Sequence, residues 1–148
     1  GAWPVIFPED YKFELGKAGL LRDGSEATII ACGVMVSKAL EAANTLAESG
    51  IDVRVLNMAT IKPIDREAIL KAALETGAVV TAEEHNIMGG LGSAVAEVLV
   101  EGQPVPMERI GMKDIFGRSG KPDELLEHFN LTSDAIASAV KRVIARKI

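Results

Sequence analysis

The chain has 148 residues, and its 16 Lys and Arg against 21 Asp and Glu give a formal net charge of -5. This length suits a single domain. The acidic balance argues against a nucleic-acid partner, because phosphate binding needs a basic surface. The sequence contains no run of about 18 apolar residues, so we expect no membrane-spanning helix. A single cysteine, Cys32, excludes an internal disulfide, so we expect a protein of a reducing compartment, the cytoplasm.

The first 15 residues are expected to form an arm rather than regular structure. Pro4 and Pro8 interrupt backbone hydrogen bonding there. The apolar side chains of this arm, among them Trp3 and Phe7, are candidates for contact with a neighbouring domain. We therefore predict an arm over 1–15 and one domain over residues 16–148.

The domain is predicted to open with a pair of antiparallel strands. A short strand over Gly16–Leu21 is followed by Asp23-Gly24, a sequence typical of hairpin turns because glycine accepts a positive φ. The continuous apolar run Ala27–Cys32 then has the pattern of a strand that is buried on both faces. We expect the first strand to lie at an edge and the second at the centre of a sheet.

Helical and strand patterns alternate through the rest of the chain. The predicted elements are a helix after Gly33 that Gly50 ends, a strand at 53–56, a helix at 66–76 capped by Asp65, a strand at 78–82, a helix opened by the glycine-rich turn at 89–92, a strand at 107–110, a helix at 122–128, and a last helix capped by Thr132. In the helix at 66–76 the predicted buried stripe is Ile69, Leu70, Ala73 and Leu74. This order predicts a three-layer α/β/α domain with a mostly parallel sheet of about five strands and one antiparallel edge strand.

The segment richest in candidate functional residues follows the strand at 78–82. Its candidate residues for an interface or an anion site are Glu83, Glu84, His85, Asn86, Gly89, Gly90, Gly92 and Ser93. Ligands and partners bind at the carboxyl ends of parallel strands, and a helix N-terminus offers free N–H groups to an anion. Alternatively, the glutamates satisfy nearby backbone donors and the glycines only permit a tight turn. The residues favour this second interpretation and leave the first open.

Catalytic and metal chemistry receive little support from the residues. His85 could serve as a general base, but no nucleophile motif accompanies it, and a hydrogen-bonding loop histidine is the simpler interpretation. Two histidines without ligand-spaced partners argue against zinc. Cys32 is predicted to be a small core residue of a buried strand rather than a reactive thiol. The glycines around Gly90 do not match a dinucleotide fingerprint.

A second candidate loop lies between Gly111 and Pro122. Its polar residues are Lys113, Arg118, Ser119 and Lys121. Such a loop could bind a phosphate through cations and backbone N–H groups. It could equally be a surface loop that Phe116 anchors, and the residues favour that role. It is not a Walker loop, because Pro122 follows where Ser or Thr would be needed.

Three stretches resemble the transketolase C-terminal domain. They are Glu83–Glu97 (EEHNIMGGLGSAVAE), Phe116–Thr132 (FGRSGKPDELLEHFNLT) and Ile61–Asp65 (IKPID). Asn130 stands where the family commonly has Gly, and both residues tolerate a left-handed backbone. The resemblance extends from about Pro4 onward. In detail the chain is most similar to the C-terminal subunit of split transketolases, in which the two half-sites for the cofactor lie on separate polypeptides.

The resemblance implies a domain of an enzyme that uses thiamine diphosphate and Mg²⁺ to transfer a two-carbon ketol unit between sugar phosphates, as in the pentose phosphate pathway. The family's Gly-Asp-Gly motif for the diphosphate does not occur in this sequence. We therefore expect no catalytic, cofactor-binding or metal-binding residue here, and an isolated chain without activity. Its role would be packing against the remaining transketolase domains or subunit and assembly of a homo-oligomer, a dimer.

Three alternatives remain at this point. The chain could be the corresponding domain of deoxyxylulose-phosphate synthase or of a 2-oxoacid dehydrogenase beta subunit, which share this domain within the thiamine-diphosphate superfamily. It could also be an independent module that binds an anion at the turn before Ser93.

Overall fold

The computed structural model describes residues 14–86, 90–112 and 122–148. Within these ranges the chain forms five strands and five helices. Their bounds are β1 Gly19–Arg22, β2 Ala27–Ala31, α1 Met35–Glu48, β3 Val53–Asn57, α2 Arg66–Thr76, β4 Val79–Asn86, α3 Leu91–Gly102, β5 Met107–Met112, α4 Pro122–His128 and α5 Ser133–Ala145. The predicted arm lies almost entirely outside the described residues. None of the helices in these ranges is both long and apolar enough to cross a membrane.

The strands form one sheet in the order β1-β3-β2-β4-β5. The pairs β3–β2, β2–β4 and β4–β5 are parallel, and only β1 runs antiparallel, along the outer side of β3. The predicted sheet of about five mostly parallel strands with one antiparallel edge strand is therefore confirmed. We call the edge at which the parallel strands end the carboxyl edge. Because β1 is antiparallel, it begins at this edge.

Helices cover both faces of the sheet because side chains of a strand point to its two faces in turn. In β2, Ile29 belongs to the apolar cluster that α1 and α5 cover, whereas Ile30 belongs to the cluster that α2 and α3 cover. All five β2 residues are buried. The continuous apolar run in the sequence therefore reflects burial on both faces, and the predicted three-layer architecture is confirmed.

The predicted hairpin at Asp23-Gly24 is wrong, because β1 pairs with β3 rather than with β2. The connection from β1 to β2 instead crosses the first residues of β3. Gly24 lies so close to Val53 that a Cβ at Gly24 would overlap the Val53 backbone. The Asp23 carboxylate accepts a 2.9 Å hydrogen bond from Arg54 on the same strand. Glycine is needed at this position for the close approach of two backbones and not for a hairpin turn.

The predicted helix ends are confirmed, whereas one predicted buried stripe is partly wrong. Asp65 and Thr132 accept hydrogen bonds from the backbone N–H groups of the first turns of α2 and α5. In α2, however, Leu74 is 71% exposed, and Ala72 is buried in its place. Periodicity alone could not choose between neighbouring faces of this helix, because Leu74 lies only one helical step from buried Ala73.

We expect Gly24→Ala to destabilise the fold by about 1–3 kcal/mol, because the added methyl group must displace the backbone of β3. The free energy of unfolding in urea measures this change. Ser25→Ala is the control, since Ser25 is an exposed residue of the same connection and should change stability by no more than about 0.5 kcal/mol. Equal stability of the two variants would contradict the crossing that the structure shows.

Candidate functional site

The carboxyl ends of β2 and β4 are neighbours at the point where the order of the sheet reverses. From β2 the chain continues through α1 to β3 on one side, and from β4 it continues through α3 to β5 on the other. Helices α1 and α3 lie on opposite faces of the sheet. Open α/β sheets place ligands or partners in the crevice at such a point. The segment from Glu83 to Ser93, singled out in the sequence, begins there.

Glu83 joins this end of β4 to the start of α3. One carboxylate oxygen accepts a 2.8 Å hydrogen bond from the Leu91 N–H, and the other accepts a 2.7 Å bond from the Gly92 N–H. The Glu83 side chain is completely buried. Its negative charge lies at the positive end of the helix dipole, so both the charge and the hydrogen bonds favour this position.

Glu83 therefore occupies the position that an external anion would take at α3. Two of the leading N–H groups of the helix are already bound by a carboxylate of the same chain. For Glu83 the structure supports the second interpretation of the sequence, a glutamate that satisfies backbone donors.

Strand β4 is irregular where Glu83 turns toward α3. Between the pairs Ala82↔Ile110 and Asn86↔Met112, β4 advances four residues while β5 advances two. The extra residues form a bulge, and bulges redirect side chains at the ends of strands. The structure thus continues β4 through Asn86, well beyond the predicted strand end at residue 82, and the candidate residues of the loop begin within the strand itself.

Glu84, the next residue, lies near the start of α1, on the face opposite α3 and Glu83. Its carboxylate lies 3.6 Å from the place where a Cβ of Gly33 would be, just before the first turn of α1. Glu84 is exposed. Helix α1 has neither a side-chain cap nor an acidic residue in its first turn. Consecutive glutamates thus lie near the starts of two helices, one bonded and buried, the other open to a partner.

The start of α3 packs directly on the sheet. A Cβ at Gly92 would lie 2.8 Å from Arg109 Cδ and 2.9 Å from Thr81 Oγ1. Thr81 is fully buried, and its hydroxyl has no hydrogen-bond partner in the described part of the chain. The glycine is therefore required for the close approach of helix and sheet, and this approach brings the Leu91 and Gly92 N–H groups within reach of Glu83.

Cys32 differs from its predicted place inside a buried strand. It follows the last residue of β2 and is only partly buried. Burial, together with the charges of Glu83 and Glu84, raises the pKa of its thiol from 9.0 to about 11. The negative carboxylates oppose formation of a second negative charge. The geometry thus agrees with an unreactive thiol, although it places Cys32 at the carboxyl edge and not in the core of β2.

The other candidate residues divide between described and undescribed positions. Gly90 and Ser93 lie at the N-cap and in the first turn of α3. The structure describes His85 and Asn86 by their backbone alone, within β4. Candidate residues outside the described ranges are Gly89, Lys113, Arg118, Ser119 and Lys121. Their predicted roles stay predictions.

The described residues do not fit thiamine diphosphate or its metal ion. In the ranges that the structure covers, no group of three or more His, Cys, Asp or Glu side chains could hold a metal. The nearest candidate for a diphosphate cradle, the start of α3, uses two of its N–H groups on Glu83.

Gly33 and Thr81 belong to this site but were not predicted from the sequence. The available signal for Gly33 was its place directly after a buried strand. No local signal marks Thr81, because its position against α3 depends on how the helix packs on the sheet.

We expect Glu83→Gln to destabilise the protein by about 1–3 kcal/mol, because an amide offers one acceptor oxygen and would direct its NH₂ group at the second N–H. Urea unfolding measures the loss, and amide exchange at Leu91 and Gly92 should accelerate. Glu84→Gln is the matched control on the exposed neighbour, with an expected change within about 0.5 kcal/mol. Equal stabilities for the two variants would refute the assigned role of Glu83.

We expect slow alkylation of Cys32 in the folded protein. Because the thiol pKa rises from 9.0 to about 11, the thiolate fraction near pH 8 is about a hundredfold smaller than that of an unperturbed cysteine. The stabilising effect of the neutral thiol is complete below pH 9.0 and is lost as the pH rises through about 11. The iodoacetamide rate as a function of pH measures the pKa. Glu84→Gln should lower this pKa by removing a nearby negative charge. An ordinary pKa in the wild-type protein would contradict the geometry.

Known proteins match this chain along nearly its whole length. Residues 16–136 match the family model described as transketolase, C-terminal domain. The chain is 52% identical over 142 residues to a 6-deoxy-6-sulfo-D-fructose transketolase subunit of Clostridium sp. strain MSTE9, covering 96% of this chain and 44% of that protein. It is 42% identical over 135 residues to the 1-deoxy-D-xylulose-5-phosphate synthase of Trichormus variabilis, covering 90% of this chain and 21% of that protein.

A solved structure described as a split-gene transketolase, inactive beta4 tetramer, matches with a TM-score of 0.94 at 49% identity. The match covers 99% of this chain and 48% of that one. The chain thus spans less than half the length of these relatives. The resemblance of three separate stretches and the structural match agree with the family model over residues 16–136: the chain belongs to the transketolase C-terminal domain family.

Proposed function

We propose that this chain serves as the C-terminal domain of a split-transketolase-type enzyme. The complete enzyme would be a transferase that moves a two-carbon ketol unit between sugar phosphates. The observation that carries this proposal is the match of nearly the whole chain to about half of a split-gene transketolase subunit. A domain that corresponds to half of a larger subunit needs the remaining domains for chemistry.

Thiamine diphosphate and Mg²⁺ would belong to the remaining domains of this enzyme. The family supports their presence in the complete enzyme, whereas the described residues of this chain offer no cradle for them. The contribution of this domain is then mechanical, since it supports the domains that hold the cofactor. The isolated chain should transfer no ketol group.

The carboxyl edge is the proposed contact with the remaining domains or subunit. Exposed Glu84 lies there beside the bulge of β4, and its carboxylate suits a cationic or N–H partner group. The apolar arm, with Trp3 and Phe7, is the second proposed contact.

We further propose a homo-oligomer, a dimer, that works in the cytoplasm on pentose phosphates.

One alternative has direct support. The identity to 1-deoxy-D-xylulose-5-phosphate synthase is consistent with the same supporting role in that enzyme. The transketolase relative covers more of this chain at higher identity, which favours a transketolase as the complete enzyme.

A domain exchange tests the proposal. Residues 16–148 of this chain replace the matching segment of the Clostridium transketolase subunit, and ketol transfer is measured with the enzyme's own remaining subunit. We expect the exchanged enzyme to retain activity, because the donor and acceptor segments are 52% identical and should pack alike.

The control places the same residues in the Trichormus deoxyxylulose-phosphate synthase. Activity there but not in the transketolase would favour the alternative. An exchanged transketolase that folds and assembles but transfers no ketol group would contradict the proposal. Titration of the isolated chain with thiamine diphosphate and Mg²⁺ should show no binding heat, and micromolar binding would overturn the assignment of the cofactor to other domains.

A further inference from the structure

The segment that leads from the arm into β1 is hydrogen-bonded to the connection between β3 and α2. We call residues 14–18 the entry segment. The Gly16 N–H donates a 3.0 Å hydrogen bond to the Thr60 hydroxyl, and the Ala18 N–H donates a 2.8 Å bond to an Asp65 carboxylate oxygen. These bonds join residues 44 and 47 positions apart in the sequence. They are therefore tertiary contacts and not part of a local turn.

Asp65 performs more than the capping that the sequence predicts. Its Oδ1 accepts the N–H of Ala68 in the first turn of α2, and its Oδ2 accepts the N–H of Ala18. The residue is only 8% exposed. A helix cap needs one of these bonds, so the second oxygen is free to hold the entering chain. One buried carboxylate thus ties the entry segment to a helix of the core.

The contact between the entry segment and the loop before α2 requires glycine at position 16. Its φ is +76°, and a Cβ there would lie 3.0 Å from Cγ of Pro63. Both the conformation and the close approach favour glycine. On either side of the fastened residues, Leu15 is 70% and Leu20 58% exposed. The backbone of the entry segment is thus held by the core while large apolar side chains face outward.

The fastened segment lies at the carboxyl edge, because β1 begins there and runs antiparallel to β3. Between β1 and β4 the sheet order places β3 and β2. Three inter-strand spacings correspond to about 14 Å. The entry segment and Glu84 therefore lie along the same edge, close enough for one neighbouring domain to contact both.

We propose that Thr60 and Asp65 are positioning residues that fix where the preceding chain joins this domain and so hold the neighbouring transketolase domain over the carboxyl edge. This inference rests on the proposed function. It gives the turn at Ile61–Asp65, which carries part of the family resemblance, a physical role besides the cap of α2.

Thr60→Val tests the proposal without touching the cap of α2. The substitution removes the acceptor for Gly16 and leaves Asp65 in place. In the full 148-residue chain, exchange of the Gly16 amide should accelerate, and the unfolding midpoint in urea should fall by no more than the loss of this one bond implies. In the exchanged transketolase described above, extended to include residues 1–15, specific activity should fall about fivefold, as the loss of about 1 kcal/mol of positioning energy implies.

Thr60→Ser should restore both the amide protection and the activity, because serine keeps the hydroxyl. Thr45→Val is the matched control, since the Thr45 hydroxyl donates to the Glu41 carbonyl within α1. If Thr60→Val fails to fold, Gly16→Ala replaces it, because a Cβ there would strain the entry segment and its contact with Pro63 while Thr60 and Asp65 stay in place. Its expected result is the same loss of activity.

The outcomes separate the two proposals. An inactive wild-type exchange contradicts the proposed function, and this inference with it. An active wild-type exchange whose Thr60→Val variant is equally active contradicts only the positioning role. Activity that serine fails to restore would also overturn it, since the hydroxyl would then not be the group that acts.

Discussion

The paired hydrogen bonds from the Glu83 carboxylate to the Leu91 and Gly92 N–H groups are the contact on which the carboxyl edge depends. Burying a carboxylate is costly unless hydrogen bonds compensate the loss of water. Here two charge-assisted bonds and the helix dipole supply that compensation. The bonds join the carboxyl end of β4 to the first turn of α3. They fix the start of α3 on the sheet and at the same time remove two donors from any external anion.

The same edge carries a second buried carboxylate with a similar task. Asp65 serves α2 with one oxygen and the entry segment with the other. Glu83 and Asp65 thus each connect a helix start to another element, β4 in one case and the entry segment in the other. Together they fix the starts of α2 and α3 and the entry segment at this edge. Such fixed contacts suit a domain whose proposed task is to support others.

The family assignment agrees with this view of the site. The described residues include neither a metal-binding group nor an open cradle for a diphosphate, yet the edge has an exposed glutamate, a bulged strand and a fastened entry segment. These features are the basis for the proposed contact with the neighbouring domain. The thiol of Cys32 lies in the same region, but burial and the neighbouring carboxylates keep it protonated.

The elements and most of their ends were predictable from the sequence. Apolar runs predicted the buried strands, and Asp65 and Thr132 marked helix starts, because these signals act between residues close in the chain. The tertiary structure was needed to establish that β1 pairs with β3 and that Asp23-Gly24 crosses a strand. It also decided that Leu74 is exposed and that Glu83 bonds to α3. Each of these depends on which surfaces meet across the sheet, and that information is not local in the sequence.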